Sequence, residues 1–211
     1  MYVPPHFDLK DEAAAKALMH ARSFATLVST DEEGAPFVTH LPLLLEEDGS
    51  PYGKLVGHVA RANPHWRLFA RGTPSLAIFH GPHAYISPNW YASPNLVPTW
   101  NYTAVHAYGA PRILENDADA LSVVERLAAR FESSLRQPWS TARLPPGNAL
   151  AQMKGIVAFD MPISRLQAKA KLGQNRLDAD RHAAADALEK QGGEDNIAVA
   201  ALMRGPGVPP A

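Results

Sequence analysis

Gly57-His58-Val59-Ala60-Arg61-Ala62-Asn63-Pro64-His65-Trp66 closes a strand and opens a short helix, and the segments around it are strands at hairpin spacing. The strand covers residues 54–60. Asn63 is placed to cap the helix, with Pro64 at the first helical position where a missing N–H costs nothing. The helix runs to about residue 70 and stops at Gly72. Toward the N-terminus, residues 46–53 form a polar turn region. Residues 37–45 and 24–30 pair as a hairpin across the turn Asp31-Glu32-Glu33-Gly34, with Pro42 marking a bulge or an edge. Before the hairpin lies an Ala-rich helix over residues 9–22, capped by Asp8.

Toward the C-terminus, residues 75–80, 84–87 and 99–108 read as strands, and 111–114 extend the last. Asn116 or Asp117 caps an amphipathic helix to about residue 134, whose apolar face carries Leu121, Val124, Leu127, Ala128 and Phe131. A Pro-rich connection (137–147) leads to a long bent strand over 156–172. In its second half Leu166, Ala168, Ala170 and Leu172 alternate with Gln167, Lys169 and Lys171. Helices follow over 178–190 and 195–203, then a frayed Gly/Pro tail over 205–211. About seven strands at this spacing predict a mainly β, α+β fold: an antiparallel barrel with peripheral helices. A doubly wound parallel sheet would need roughly a dozen residues of crossover between strands, and this spacing does not supply them.

The chain has 211 residues, 46% hydrophobic and 19% charged, enough to bury a core. With 20 basic against 21 acidic residues it lacks the basic footprint of a nucleic-acid binder. It has no cysteine, which excludes disulfides, thiolate metal sites and Cys nucleophiles. Neither a signal peptide nor a membrane-length apolar run is evident, so a cytoplasmic protein is expected.

Three of the four Trp and five of the nine His lie within residues 57–108. An ordinary core requires neither density, so the segment reads as a site. Free N–H groups at the helix start beside Arg61 suit an anion, and the Arg fork matches phosphate geometry. The same residues equally serve as a plain helix cap and a surface ion pair. Converging imidazoles could ligate zinc or iron, but no metal-binding spacing is present. The tryptophans either stack on a planar ligand or fill the core. No nucleophile elbow, catalytic triad, carboxylate pair, Gly-rich phosphate loop or dinucleotide fingerprint occurs, so no catalytic residue is assigned.

Met1-Tyr2-Val3-Pro4-Pro5-His6-Phe7, His40-Leu41-Pro42, the 57–64 block, Tyr85-Ile86-Ser87-Pro88-Asn89-Trp90-Tyr91, Val97-Pro98-Thr99-Trp100-Asn101-Tyr102, Val105-His106 and Lys171-Leu172-Gly173-Gln174-Asn175-Arg176 occur in that order. Together they resemble the PaiB family of FMN-binding, negative transcriptional regulators, over residues 1 to about 180. The resemblance implies an FMN-binding split β-barrel over 1–175, N-terminal helix included, with 176–211 as a C-terminal helical extension. It also implies a homodimer with FMN in a cleft between subunits. Carried over by motif, the FMN contacts would come from His40, Leu41, His58, Arg61, Ala62 and Asn63, with Arg61-Ala62-Asn63 at the phosphate. Trp90, Trp100, Asn101, Lys171, Gln174, Asn175 and Arg176 would complete them. Gly173 departs from the family's Ser. A regulatory or sensory flavoprotein is the leading expectation. A flavin-dependent oxidoreductase comes next, and a haem-binding split barrel follows from the histidines.

Overall fold

The structure is a computed structural model and describes residues 1–205. In chain order it comprises α1 (Glu12–Ala21), β1 (Phe24–Thr30), β2 (Pro36–Pro42), β3 (Leu44–Glu46), β4 (Lys54–Ala60), α2 (Trp66–Ala70) and β5 (Ser75–Ile86). Then come β6 (Thr99–Gly109), β7 (Arg112–Ile113), α3 (Asp117–Glu132), α4 (Asn148–Met153), β8 (Ile156–Lys171), α5 (Asp178–Gln191) and α6 (Glu194–Arg204). The strands follow one hydrogen-bonded path, β2-β1-β5-β6-β8-β4-β3, with β7 added to β8. The path is open, with β2 and β3 at its ends, and the sheet is mainly antiparallel. The mainly β expectation holds; closure of the sheet does not.

The chain divides into two compact units, and each takes part of β5, β6 and β8. The first combines Met1–Arg22, Phe79–His106 and everything from Gln167 onward. The second combines Ser23–Ile78 and Ala107–Leu166. In the first unit α5 and α6 form a hairpin across Gly192 and Gly193, both at positive φ (74° and 93°). Ala184, Ala185, Leu188, Val199, Ala200, Leu202 and Met203 pack with Ala84, Ile86, Ala170 and Leu172 in one buried cluster. The alanines on both helices keep side-chain bulk out of the way, so the backbones approach closely. The helical sequence after residue 176 thus shares its core with the strands of residues 79–106.

In the second unit β1 and β2 form a hairpin with Val28 opposite Val38. β4 lies between β3 and β8, and Val56 and Ala158 pack against Ala120, Val123 and Leu127 of α3 and Met153 of α4. Gly57 has a packing reason: a Cβ there would stand 2.7 Å from Leu43 Cδ2 and 3.1 Å from the Pro42 carbonyl.

Several local expectations are corrected. Helix α1 is capped by Asp11, whose carboxylate accepts from Ala14 N, while Asp8 forms an isolated bridge with Lys169. Pro42, without an N–H, ends β2, and the chain starts β3 on a different partner. The segments at 75–80 and 84–87 are one strand, β5. Of the predicted stripe on α3, Leu127 is buried and Leu121 and Val124 pack half-buried against the core, but the other fully buried positions are Ala120 and Val123, and Phe131 is 48% exposed. The connection at 137–147 leads into a helix, α4, that the sequence reading lacked. The predicted frayed tail beyond Gly205 lies outside the described residues.

Candidate functional site

In the first unit, burial along β5 alternates up to His80 and then slips in phase, because Gly81 and Pro82 are both buried. The slip, of the kind a β-bulge produces, puts His80, His83 and Tyr85 all on the exposed side. Gly81 makes it possible: a Cβ there would fall 1.9 Å from Thr103 Oγ1 and 2.9 Å from Leu18 Cδ1. On β6 the period of two brings Trp100, Tyr102, Ala104 and His106 to one face. These two faces line a cavity of about 560 Å³ that includes His80, His83, Trp100, Tyr102, Ala104 and His106. The His83 and Trp100 rings are 5.8 Å apart, and Tyr85 meets Trp100 edge-on at 6.1 Å. Burial, aided by the N-terminal amine and His80, pushes the His106 imidazolium down to about 4, so this ring is neutral at ordinary pH.

Two amines stand beside this floor. Lys169, 6% exposed, donates to the Tyr2 carbonyl at 3.2 Å and lies 5.2 Å from the Tyr102 ring centroid. Lys171 donates to Thr99 Oγ1 and to the Trp100 carbonyl. Burial first, then repulsion from Lys169 and Arg176, holds the Lys171 ammonium below its ordinary value. Neither amine has a carboxylate partner among the described residues.

The other residues expected in this unit lie outside the cavity lining. Trp90 and Tyr91 pack on the α5–α6 core, and the Arg176 guanidinium lies 5.6 Å over the Tyr91 ring. Asn101 is buried and donates to Met203 Sδ at 3.4 Å. Gln174 closes the end of β8, accepting from Leu172 N at 2.8 Å and donating to the Ala170 carbonyl at 2.6 Å. Asn175 is exposed. Gly173 has φ +84°, a conformation that strains any side chain, which gives a backbone reason for glycine there.

In the second unit, His40 shares a hydrogen bond with Thr26 at 3.1 Å on an exposed face, and Leu41 beside it is buried. His58, in β4, is held below its ordinary value by burial, and its Nδ1 is buried without a hydrogen-bond partner. Arg61 donates from Nε to the Lys154 carbonyl at 2.9 Å and from Nη2 to the Ile156 carbonyl at 2.8 Å. Its own carbonyl accepts from Trp66 Nε1. Arg61 therefore ties the turn after β4 to the start of β8. It borders a cavity of about 370 Å³ that also contains Glu115 and Asp117, carboxylates that oppose an anion.

Helix α2 starts at Trp66, later than expected, because Asn63 is engaged elsewhere. Its carbonyl oxygen accepts from His65 N, and its amide donates to Thr39 Oγ1 at 3.0 Å. Ala62 is exposed in this turn. From Thr39 the bonds continue to His65 Nδ1 (2.8 Å), from His65 Nε2 to Ser29 (2.8 Å), to Ser75 (2.6 Å) and to the Thr73 carbonyl (3.3 Å). An amide NH₂ only donates and a carbonyl only accepts, so each hydroxyl has one consistent direction. His65 is neutral with its proton on Nε2. It is fully buried, and burial pushes it down to about 4. No sequence signal marks this buried chain, because its members are scattered over four segments.

The expected site residues thus divide between the units: His40, Leu41, His58, Arg61, Ala62 and Asn63 in one, Trp90, Trp100, Asn101, Lys171, Gln174, Asn175 and Arg176 in the other. From the sequence His80, His83 and His106 count only as possible converging imidazoles and Lys169 only as a position in a strand's alternation, none of them as a flavin contact. Strand parity identifies His106, but His80 and His83 share a face only through the phase slip.

Residues 1–165 match the model of the "Putative FMN-binding domain" family. Protease synthase and sporulation protein PAI 2 of Bacillus subtilis (strain 168) is 37% identical over 205 residues, 96% of each chain. Among solved structures, the flavocytochrome Anf3 from Azotobacter vinelandii superposes with a TM-score of 0.64 at 16% identity, covering 82% of this chain and 73% of its own. The FAD and heme binding protein from Mycobacterium smegmatis gives 0.57 at 19%, covering 78% and 72%. At such identities these two show a shared fold only. The family match and the nearly full-length likeness to PAI 2 are of another order, and the chain belongs to the FMN-binding domain family of PaiB-like proteins.

Proposed function

We propose that the protein binds FMN as a homodimer and acts as a flavin-based redox or metabolite sensor with a PaiB-type regulatory role. The observation that supports this most is the nearly full-length relationship to PAI 2, a sporulation protein by name, together with the FMN-binding family match. The residues present suit such a group. Trp100, Tyr102 and the imidazoles around them offer ring faces, and the amines of Lys169 and Lys171 offer positive charge without carboxylate partners. Bound flavin would supply hydride or electron transfer. The chain's own residues would orient the ring and hold its anionic group. A neutral His106 leaves a lone pair or an N–H at the cavity wall rather than a further charge.

A net charge of −1 favours an indirect route to transcription over direct DNA contact. The experiment is an FMN titration of purified protein, followed by flavin absorbance. One flavin per chain, with its spectrum altered on binding, is expected; protein that ignores FMN would contradict the proposal.

A further inference from the structure

We propose that an apolar trough between α1 and α6 binds a small aliphatic ammonium, an apolar chain that carries one positive charge. Helix α6 presents two stripes. Val199, Ala200, Leu202 and Met203 enter the core shared with α5. Glu194, Ile197, Ala198 and Ala201 follow i, i+3, i+4, i+7 spacing on an adjoining side. This second stripe meets the end of α1 and the buried Pro82 of β5, and together they bound a cavity of about 490 Å³ within the first unit. Alanine makes the space: Ala21, Ala198 and Ala201 place methyl groups where longer side chains would meet. Ile197, 51% exposed, and buried Leu18 line it as well. The volume falls within the range of small-molecule sites, and such a lining favours an alkyl chain over water.

Charge selects the head group. Among the described residues only two charged side chains border the trough, Arg22 and Glu194. Both also border a polar cavity of about 460 Å³ at the start of α6, so the trough has one apolar and one polar end. At the polar end the Asp195 carboxylate faces two basic groups, Arg22 Nη2 at 3.7 Å and His83 Nε2 at 3.6 Å. Arg22 offsets Asp195, and Glu194, with no ion pair among the described residues, is the charge left over. A carboxylate head group would meet both acids. An ammonium donates to Glu194 while its chain lies along Ile197 and the alanines. None of the residues lining the trough is among the flavin contacts expected from the motifs, so the trough stands apart from the flavin.

The test is calorimetric titration of the full chain with hexylammonium, 1-hexanol and hexanoate, using wild type, Ala201→Trp and Glu194→Gln. Ala201 and Glu194 are both exposed, so both variants should fold, as circular dichroism checks. Wild type is expected to bind hexylammonium more tightly than hexanol, and hexanoate more weakly than either. Ala201→Trp fills the trough and should weaken hexylammonium and hexanol alike by roughly tenfold or more, the equivalent of two buried methylenes. Should that variant lose helix, Ile197→Gln, which removes an apolar wall, takes its place. Glu194→Gln should weaken hexylammonium by about three- to fivefold, as for an exposed ion pair, and leave hexanol unchanged. The proposal is overturned if wild type does not bind hexylammonium, if filling the trough leaves binding unchanged, or if hexanoate is preferred. Hexylammonium affinity indifferent to Glu194→Gln overturns the assignment of the head group. Absent binding together with a mass halved by Ala201→Trp in light scattering would put a second copy over the trough instead, and overturns the proposal too.

Discussion

His65 decides more than its position suggests. It is fully buried and joins the turn after β4 to Thr39 of β2 and Ser29 of β1, and through Ser29 to Ser75 of β5. The chain of bonds has room for one proton on the ring, so a second proton would leave Thr39 O–H without its acceptor. Folded, the ring protonates near 4; unfolded, near 6.5. Between those values the unfolded chain binds more protons, so the stability His65 provides is complete above about 6.5 and is lost as pH falls. Its share of the loss between pH 7 and pH 5 is about 2 kcal/mol. Urea denaturation at both pH values should show this, and His65→Gln, though less stable throughout, should show a pH dependence smaller by that amount. An unchanged dependence would remove His65 from the account. Burial of His106 and His58 acts in the same direction, so some dependence remains in the variant.

At the scale of elements, periodicity located strands well where alternation is regular. β1 spans Phe24–Thr30 and β4 spans Lys54–Ala60, as read. It failed at β5, where Gly81-Pro82 reads as a turn and is instead a slip within a continuous strand. The slip depends on Gly81 lying over Thr103. Gly81→Ala should cost about 1–3 kcal/mol by overpacking. Thr103→Ala removes both the obstacle and a buried hydroxyl that lacks a partner, so it should relieve most of that cost. Equal costs in the two backgrounds, measured by denaturation midpoints, would show that the crowding lies elsewhere. The short helix α2 failed differently: Asn63 caps the turn rather than the helix, because Thr39 offers its amide a partner across the fold.

For the whole molecule, the proposed homodimer has a candidate surface in the second unit. Directly paired residues of antiparallel strands share a face, so Val38, Val28 and Leu76 form one row and His40, Thr26 and Ile78 the next. All six are half-buried or exposed, and Phe24 beside them is 69% exposed. An apolar sheet face of this kind is a normal protein–protein surface. Light scattering should give twice the 22.9 kDa chain mass. Val38→Asp, at an exposed site, should shift the protein toward monomer with its circular dichroism retained. A wild-type monomer would exclude the dimer, and a dimer indifferent to Val38→Asp would move the interface elsewhere. No helix among the described residues is long and apolar enough to cross a membrane.

The sequence by itself determined the β-rich class, most strand positions, the absence of thiol chemistry and, through its ordered motifs, the family. Those properties are local or additive: period, turn residues and composition survive without knowing what touches what. Only the tertiary structure decided that Arg61 binds carbonyls of the chain itself, that Trp90 packs half-buried against the α5–α6 core, and that His80, His83 and His106 share a cavity with Trp100. Each of these depends on pairing between distant strands or on a one-residue change of phase, and neither is written in the spacing of the residues concerned.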